Sequence, residues 1–159
     1  MMTAGDSGAM KRASRILPAS EWCRADAIDR VLLNADERKR RRVMLTGEAG
    51  TRFLLDLPPA TALRDGDGLV LEDGSMVCVV GKGETLVEIA AENAAALARL
   101  AWHLGNRHIE IEVVGDHLRI RRDHVLEAML LGLGASLTPV EAPFDPERGA
   151  YDHGFGLHV

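Results

Sequence analysis

The chain has 159 residues, of which 47% are hydrophobic, and a formal net charge of -5 at pH 7. This length suits one domain or two small ones, and the acidic balance argues against a general nucleic-acid-binding protein, which would usually be basic. No apolar run is long enough to span a bilayer, and the first residues lack the apolar stretch of a signal peptide. Cys23 and Cys78 lie far apart and form no CxxC pair. Together these features predict a cytosolic protein with two reduced thiols and no membrane association.

The first half of the chain is predicted to be an all-β domain over residues 15–81, after a disordered lead-in over residues 1–14. Its predicted strands cover residues 42–45, 51–57, 69–71 and 76–80. Short strands at this close spacing are typical of a small barrel or sandwich. The basic run at residues 38–42 has two interpretations, a patch for nucleic acid or an acidic partner and a solvated entry to a strand. The acidic total favours the second.

The second half predicts the element order β-α-β-β-α-β over residues 84–142, which is the ferredoxin-like arrangement. A strand over 84–90 is followed by a helix that Asn93 caps and Gly105 ends. Two strands over 108–114 and 117–122 come next, then a helix capped by Asp123 and a strand over 137–142. Residues 143–159 are rich in Gly, Pro and Asp and are predicted to be a flexible tail. The predicted fold class is therefore α+β.

Strand alternation and helical periodicity predict which side chains of this domain are buried. A hairpin turn at Gly115-Asp116 places Val113 opposite Leu118 and Glu112 opposite Arg119, which separates an aliphatic face from a charged face. The same alternation places His108 on the polar face, at the start of an exposed strand. In the second helix the residues predicted to be buried are Val125, Leu126, Met129, Leu130 and Leu133.

Histidine is absent from the first hundred residues, whereas six histidines lie between positions 103 and 158. Imidazole is the usual ligand of nickel, copper and zinc. His108 alone would bind weakly, but a two-fold dimer meeting there would bring two copies together, and His153 or His158 in the tail could approach the ion. His124 lies in the first turn of a helix, where the positive helix end favours a neutral, ligand-competent ring. An ordinary solvated role for these histidines stays open, and nothing suggests a catalytic nucleophile.

Several segments together resemble the UreE family of urease accessory proteins, which are nickel metallochaperones. Residues 66–68 and 71–74 resemble its N-terminal β-domain. Residues 102–108 (WHLGNRH) and 123–126 (DHVL) resemble its metal-binding domain, and residues 143–147 with 149–151 resemble the motif that leads into its tail. Each piece is modest alone, but their order and spacing are specific.

The resemblance implies a non-enzymatic protein whose first domain binds protein partners and whose second domain forms a homodimer. It implies that His108 binds Ni(II) at the dimer interface, that His153 or His158 completes the site, and that His124 belongs to a peripheral site. Nickel would pass to apo-urease with the help of the accessory GTPase UreG. Zinc or copper would compete, because imidazole alone does not select among these metals. The tail has only two histidines and Arg122 stands where some members carry histidine, so delivery of one ion is expected rather than storage.

Two other functions are compatible with the predicted fold. One is a nucleic-acid-binding module, which would need exposed aromatic side chains on the sheet, and the strands over 108–114 and 117–122 contain none. The other is a scaffold in which the histidines are incidental.

Overall fold

The computed structural model describes residues 10–59 and 61–148. These residues form two compact units on either side of the bond between Gly81 and Lys82. The first unit is built of strands and short 3-10 helices, and the second adds two α-helices to a sheet. The predicted α+β class is thus confirmed. In the described part of the chain, neither α-helix is long and apolar enough to cross a membrane.

The first unit is a six-stranded sheet in the order β2-β6-β5-β1-β4-β3. Alternating residues of these strands, among them Phe53, Leu55, Leu69 and Val77, are completely buried in one core. The strands are β1 (Lys11–Leu17), β2 (Asp29–Leu33), β3 (Arg42–Thr46), β4 (Arg52–Asp56), β5 (Gly68–Leu71) and β6 (Met76–Gly81). The short 3-10 helices cover Ala19–Glu21, Arg24–Asp26 and Glu37–Lys39.

The predicted lead-in is wrong for residues 11–14, which form the beginning of β1. This strand lies inside the sheet, parallel to β4 and antiparallel to β5. Ala13 is fully buried, while its neighbours Arg12 and Ser14 are exposed. Because only a small alanine points into the core here, the sequence carries little of the apolar alternation that marks a strand.

The basic run contains one residue with a structural role. Arg38 is buried, and its guanidinium donates hydrogen bonds to the carbonyl oxygens of Leu33 (3.2 Å) and Leu63 (3.4 Å). Arg40 and Arg41 are exposed, as the solvated interpretation expects. The buried guanidinium therefore ties the loop after β2 to the segment before β5.

A buried carboxylate organises the turn between β3 and β4. Asp29 accepts hydrogen bonds from the backbone N–H groups of Ala49 (2.8 Å), Thr51 (3.0 Å) and Arg30 (2.7 Å). Burial raises the pKa of Asp29, but these backbone donors outweigh it, and the pKa is lowered overall. A Cβ at Gly47 would lie 2.2 Å from Asp29 Oδ2, so the turn closes over the carboxylate only because this residue is glycine.

The second unit has the element order β-α-β-β-α-β, as predicted. Its sheet has the order β10-β7-β9-β8, and each neighbouring pair is antiparallel. The elements are β7 (Gly83–Ala90), α1 (Ala94–Asn106), β8 (Glu112–Val114), β9 (His117–Arg121), α2 (His124–Gly132) and β10 (Ser136–Pro143). The sheet residues of its core are Val87, Ile89, Leu118 and Ile120, and the helix residues are Leu100, Leu104 and Leu130.

The local signals of the second unit are largely confirmed. Asn93 caps α1 and Asp123 caps α2 through side-chain acceptors. The predicted pairs Val113–Leu118 and Glu112–Arg119 are both present in the hairpin. The helix α1, however, continues past Gly105 to Asn106.

The predicted burial is wrong for one residue of α2, Val125, and for the residue at its C-terminal cap, Leu133. Val125 is 66% exposed and Leu133 is 47% exposed. Helix α2 is short and rests on the sheet through Leu126, Met129 and Leu130. The apolar residues on its remaining surface consequently face outward.

Candidate metal centre

His108 lies in the turn that ends α1, and the prediction that it begins a strand is wrong. Its backbone has φ 59°, in the left-handed region. The N–H of His108 donates to Gly105 O (3.0 Å) and that of Ile109 donates to Leu104 O (3.1 Å). This pair of bonds is a Schellman motif, in which the left-handed residue is usually glycine. Ile109 packs in the same hydrophobic core as Leu104, and this packing stabilises the turn.

The end of α2 shows the same motif with the usual residue. Gly134 has φ 93°, its N–H donates to Leu131 O (3.0 Å), and Ala135 N donates to Leu130 O (3.0 Å). A left-handed backbone costs a residue with a side chain about 1–2 kcal/mol, although histidine tolerates it better than most residues. The chain thus accepts strain at His108 that it avoids at Gly134, and a strained residue of this kind points to a functional role.

The imidazole of His108 is exposed beside a shallow depression of about 250 Å³. The acidic groups around it already have partners: Glu110 pairs with Arg121 (2.7 Å) and Asp123 caps α2. The depression is lined by His108, Ile109, Glu110, Arg121, Arg122, Asp123 and Leu126. With those carboxylates engaged, the imidazole is the side chain best suited to bind a soft or borderline metal here.

Residues 144–147, which we call the C-terminal strap, run from β10 at one edge of the sheet to β8 at the opposite edge. Phe144 is fully buried, with the guanidinium of Arg121 4.9 Å from its ring centroid. The N–H of Glu147 donates to Ile111 O (2.7 Å), and Val113 N donates to the Glu147 carboxylate (3.2 Å). The predicted flexible tail is therefore wrong for residues 143–147. Sequence reasoning missed the strap, although Phe144 between two prolines was a signal of a buried anchor.

Burial also affects a carboxyl group beneath the strap. Burial raises the pKa of Glu112, and the hydrogen bond from the Asp145 N–H (3.2 Å) opposes this shift.

A second carboxyl group with a shifted pKa, Glu127, lies in α2. The hydrogen bond from Arg122 lowers the pKa of Glu127 against the opposing effect of burial, and the two charged groups lie 2.8 Å apart. Arg122 is therefore engaged in an ion pair beside His124.

The remaining histidines do not join His108. His124 is the first residue of α2 and is exposed, His117 lies at the hairpin turn beside Asp116, and His103 packs edge-on against Trp102. His153 and His158 lie outside the described residues. Within residues 10–59 and 61–148, no group of three or more His, Cys, Asp or Glu side chains is arranged to hold a metal ion.

Comparison with known proteins covers both units. Residues 13–81 match the sequence model of the N-terminal domain of UreE urease accessory proteins, and residues 84–158 match that of the C-terminal domain. The chain belongs to the UreE family. The UreE family consists of urease accessory proteins, so the chain has a role in urease maturation and is not an enzyme, as predicted.

Curated UreE proteins from several bacteria are similar over most of the chain. That of Bradyrhizobium sp. (strain BTAi1) is 57% identical over 142 residues, covering 89% of this chain and 68% of the relative. Those of Rhodopseudomonas palustris (strain BisB18) and Beijerinckia indica are 52% and 49% identical over 89% of this chain, covering 67% and 82% of the relatives. Each carries the name urease accessory protein UreE.

Proposed function

We propose that the protein is a nickel chaperone that binds Ni(II) at the two-fold interface of a homodimer, through His108 of each chain. The observation that carries this proposal is the exposed imidazole at a left-handed helix end, a position where glycine would relieve the strain. Because an isologous contact places a residue near its own mate, one exposed imidazole becomes two ligands in a dimer. Two imidazoles are a small ligand set, which suits an ion that must be released.

Exposed apolar side chains of the second unit support the dimer. Such side chains on a small domain are favourable sites for association, since burying them removes apolar area from water. They are Trp102 (64% exposed), Val113 (54%), Val125 (66%), Leu131 (58%) and Leu133 (47%). Val125 is next to Leu126, which lines the depression beside His108. An interface that includes the first turn of α2 would therefore bring the two imidazoles close together.

The strap supports a ligand from the tail. The strap ends on Ile111, with which Glu147 forms a hydrogen bond. Ile111 is three residues from His108, so the Cα atoms of Ile111 and His108 are at most about 11 Å apart. The six residues from Glu147 to His153 span up to about 20 Å, so both His153 and His158 can reach the ion. The entropy of closing a loop of six residues rather than eleven favours His153 about 2.5-fold. His153 is accordingly our candidate for the completing ligand, and His124 would serve only a peripheral site.

The sheet order supports a ferredoxin-like second domain, because β10-β7-β9-β8 is the order expected of that fold. Ferredoxin-like domains that bind nucleic acid do so on the sheet face opposite the helices. In this protein that face carries ion pairs such as Arg119–Glu88 and is covered by the strap. This favours the carrier over a nucleic-acid-binding module. We infer that the carrier works in the cytosol, that its first unit binds protein partners, and that it delivers the ion to apo-urease with the help of the accessory GTPase UreG. Copper and zinc would compete with nickel at imidazole ligands.

Nickel titration of the dimer by calorimetry tests the proposal. We expect the wild-type protein to bind one high-affinity Ni(II) per dimer, and His108→Ala to lose that site while remaining dimeric by light scattering. His117→Ala is the matched control, since it removes an exposed imidazole from the same unit without affecting the turn at α1. If His108→Ala kept full affinity and stoichiometry, the proposed carrier mechanism would be wrong.

A second variant tests the shared geometry. Val125→Asp places a charge on the exposed surface of α2 and should shift the protein towards monomers. Nickel affinity should fall together with the dimer fraction. Unchanged affinity in a monomeric variant would refute a site that two chains share.

A further inference from the structure

Glu110 shares with His108 the shallow depression at the end of α1. Both residues line this depression of about 250 Å³, and Glu110 follows His108 by two positions. Their Cα atoms are therefore at most about 7 Å apart. Carboxylate oxygens, like imidazole nitrogens, bind divalent transition metals. The depression thus contains a second potential ligand beside the proposed one.

The Glu110 carboxylate is held by Arg121 of β9. Nη1 of Arg121 donates to Glu110 Oε1 at 2.7 Å, and Nε donates to Glu84 Oε1 at 3.1 Å. The Glu84 side chain is mostly buried. Phe144 packs against the same guanidinium, whose carbon lies 4.9 Å from the centroid of the ring. Because the guanidinium is planar and is contacted on two edges and one face, it presents Nη1 to Glu110 in one orientation.

This fixed guanidinium makes the Glu110 carboxylate difficult to recruit. A charge-assisted hydrogen bond corresponds to a factor of about ten to one hundred in an equilibrium constant. An ion bound to His108 would have to break the bond between Arg121 and Glu110 before the carboxylate could coordinate it. The carboxylate therefore lies beside the proposed site but is withheld from it.

The other carboxylate in the depression is engaged in a different way. Asp123 accepts the backbone N–H groups of Val125 and Leu126 at the first turn of α2, at 2.9 and 3.0 Å. It could not turn to an ion without uncapping that helix. Glu110, by contrast, could turn to an ion once a single side chain, Arg121, let it go.

We propose that Glu110 is a latent oxygen ligand of the metal site, which Arg121 withholds from the ion. This inference rests on the proposed function. In a two-fold dimer the withheld carboxylate is present twice, so its release would add two carboxylates to the two imidazoles. A larger ligand set would hold the ion more tightly and release it more slowly. Arg121 is accordingly a positioning residue that keeps the ion exchangeable, as delivery requires.

The substitution Arg121→Met tests the inference in the full-length protein, because it removes the guanidinium and keeps an unbranched side chain against Phe144. We expect the affinity for Ni(II) in calorimetry to rise about tenfold, and the transfer of Ni(II) to excess chelator to slow correspondingly. Glu110→Gln in the same chain should return both quantities to their wild-type values. A side chain that merely supported the fold would give a loss of affinity instead of a gain.

Arg119→Met is the matched control for charge. Arg119 pairs with Glu88 (2.8 Å) on the same face of the sheet, and neither is among the described residues that line the depression. The substitution also removes one positive charge, yet it should leave the affinity for Ni(II) unchanged. Glu110→Asp in the Arg121→Met chain keeps the carboxylate charge and shortens the side chain by one methylene. It should reduce the gain if Glu110 contacts the ion, whereas an undiminished gain would show through-space attraction and overturn the proposal.

The remaining outcomes also decide the inference. An unchanged or lower affinity in folded Arg121→Met, a gain that Glu110→Gln does not remove, or an equal gain in Arg119→Met would each overturn it. If circular dichroism shows that Arg121→Met does not fold, Arg121→Gln, which keeps an amide donor, should give a smaller gain that again depends on Glu110. Full affinity in His108→Ala would instead refute the proposed function. Loss of binding in His108→Ala together with no gain in Arg121→Met would refute this inference alone.

Discussion

Replacing His108 with glycine should make the metal-free protein more stable and should weaken nickel binding at the proposed site. The residue occupies the left-handed position of a Schellman motif, at φ 59°, and its side chain is exposed. Glycine adopts this backbone without strain, so the substitution removes a local cost while keeping both hydrogen bonds of the turn. Stability and metal binding should therefore change in opposite directions.

The expected gain follows from two opposing terms. Relief of the left-handed backbone contributes about 1–2 kcal/mol, and the greater freedom of glycine in the unfolded chain costs roughly 0.4–1 kcal/mol. The difference is a net stabilisation centred near about 0.8 kcal/mol, within limits of about 0 and 1.6 kcal/mol. In a unit of this size that corresponds to a rise in Tm of roughly 2–8 °C. Loss of the imidazole should weaken nickel binding at least about tenfold, or ~1.4 kcal/mol.

Thermal unfolding with a chelator, followed by circular dichroism at 222 nm, measures the stability. The signal reports mainly on the second unit, where both α-helices of the described residues lie. Gly134→Ala is the matched control at the equivalent position of α2, where a Cβ would meet no atom within 4 Å. It should cost about 1 kcal/mol through backbone strain alone. A lower Tm for His108→Gly than for wild type would refute the reasoning, since the imidazole would then stabilise the turn.

Three further predictions concern the first unit. Gly47→Ala should destabilise it by at least about 2 kcal/mol in urea denaturation, because the new Cβ would lie 2.2 Å from Asp29 Oδ2. The lowered pKa of Asp29 adds stability that is present above the unfolded pKa of about 3.9 and lost as pH falls through the folded-state pKa, so Asp29→Asn should flatten the acid limb of the stability profile. Arg38→Ala should cost about 2–4 kcal/mol by leaving the carbonyls of Leu33 and Leu63 without their donor, and an unchanged denaturation midpoint would contradict this.

Local signals in the sequence were enough to predict much of the second unit. The caps Asn93 and Asp123 and the register at Val113 each depend on neighbouring residues, and each is confirmed. The turn at His108 depends instead on a tertiary contact. Helix α1 passes Gly105 and ends where Ile109 can enter the core, so the apparent glycine stop was misleading.

The strap escaped prediction for a related reason. Its contacts join residues more than 30 positions apart, such as Glu147 with Val113. Composition alone assigns a segment rich in proline and acidic residues to a mobile tail. The strap must cross the sheet only because β10 lies at one edge and β8 at the other. That strand order depends on the topology of the whole domain, which local sequence does not reveal.

A site that two chains share would link metal binding to dimerisation. If nickel binds the dimer more tightly than the monomer by some factor, linkage requires nickel to strengthen the dimer correspondingly. The exposed apolar surface around Val125 would then hold the metal-free dimer together, and nickel binding would strengthen that dimer further. Such a site would favour release of the ion, because its two His108 imidazoles would lie in exposed turns rather than in a buried cage.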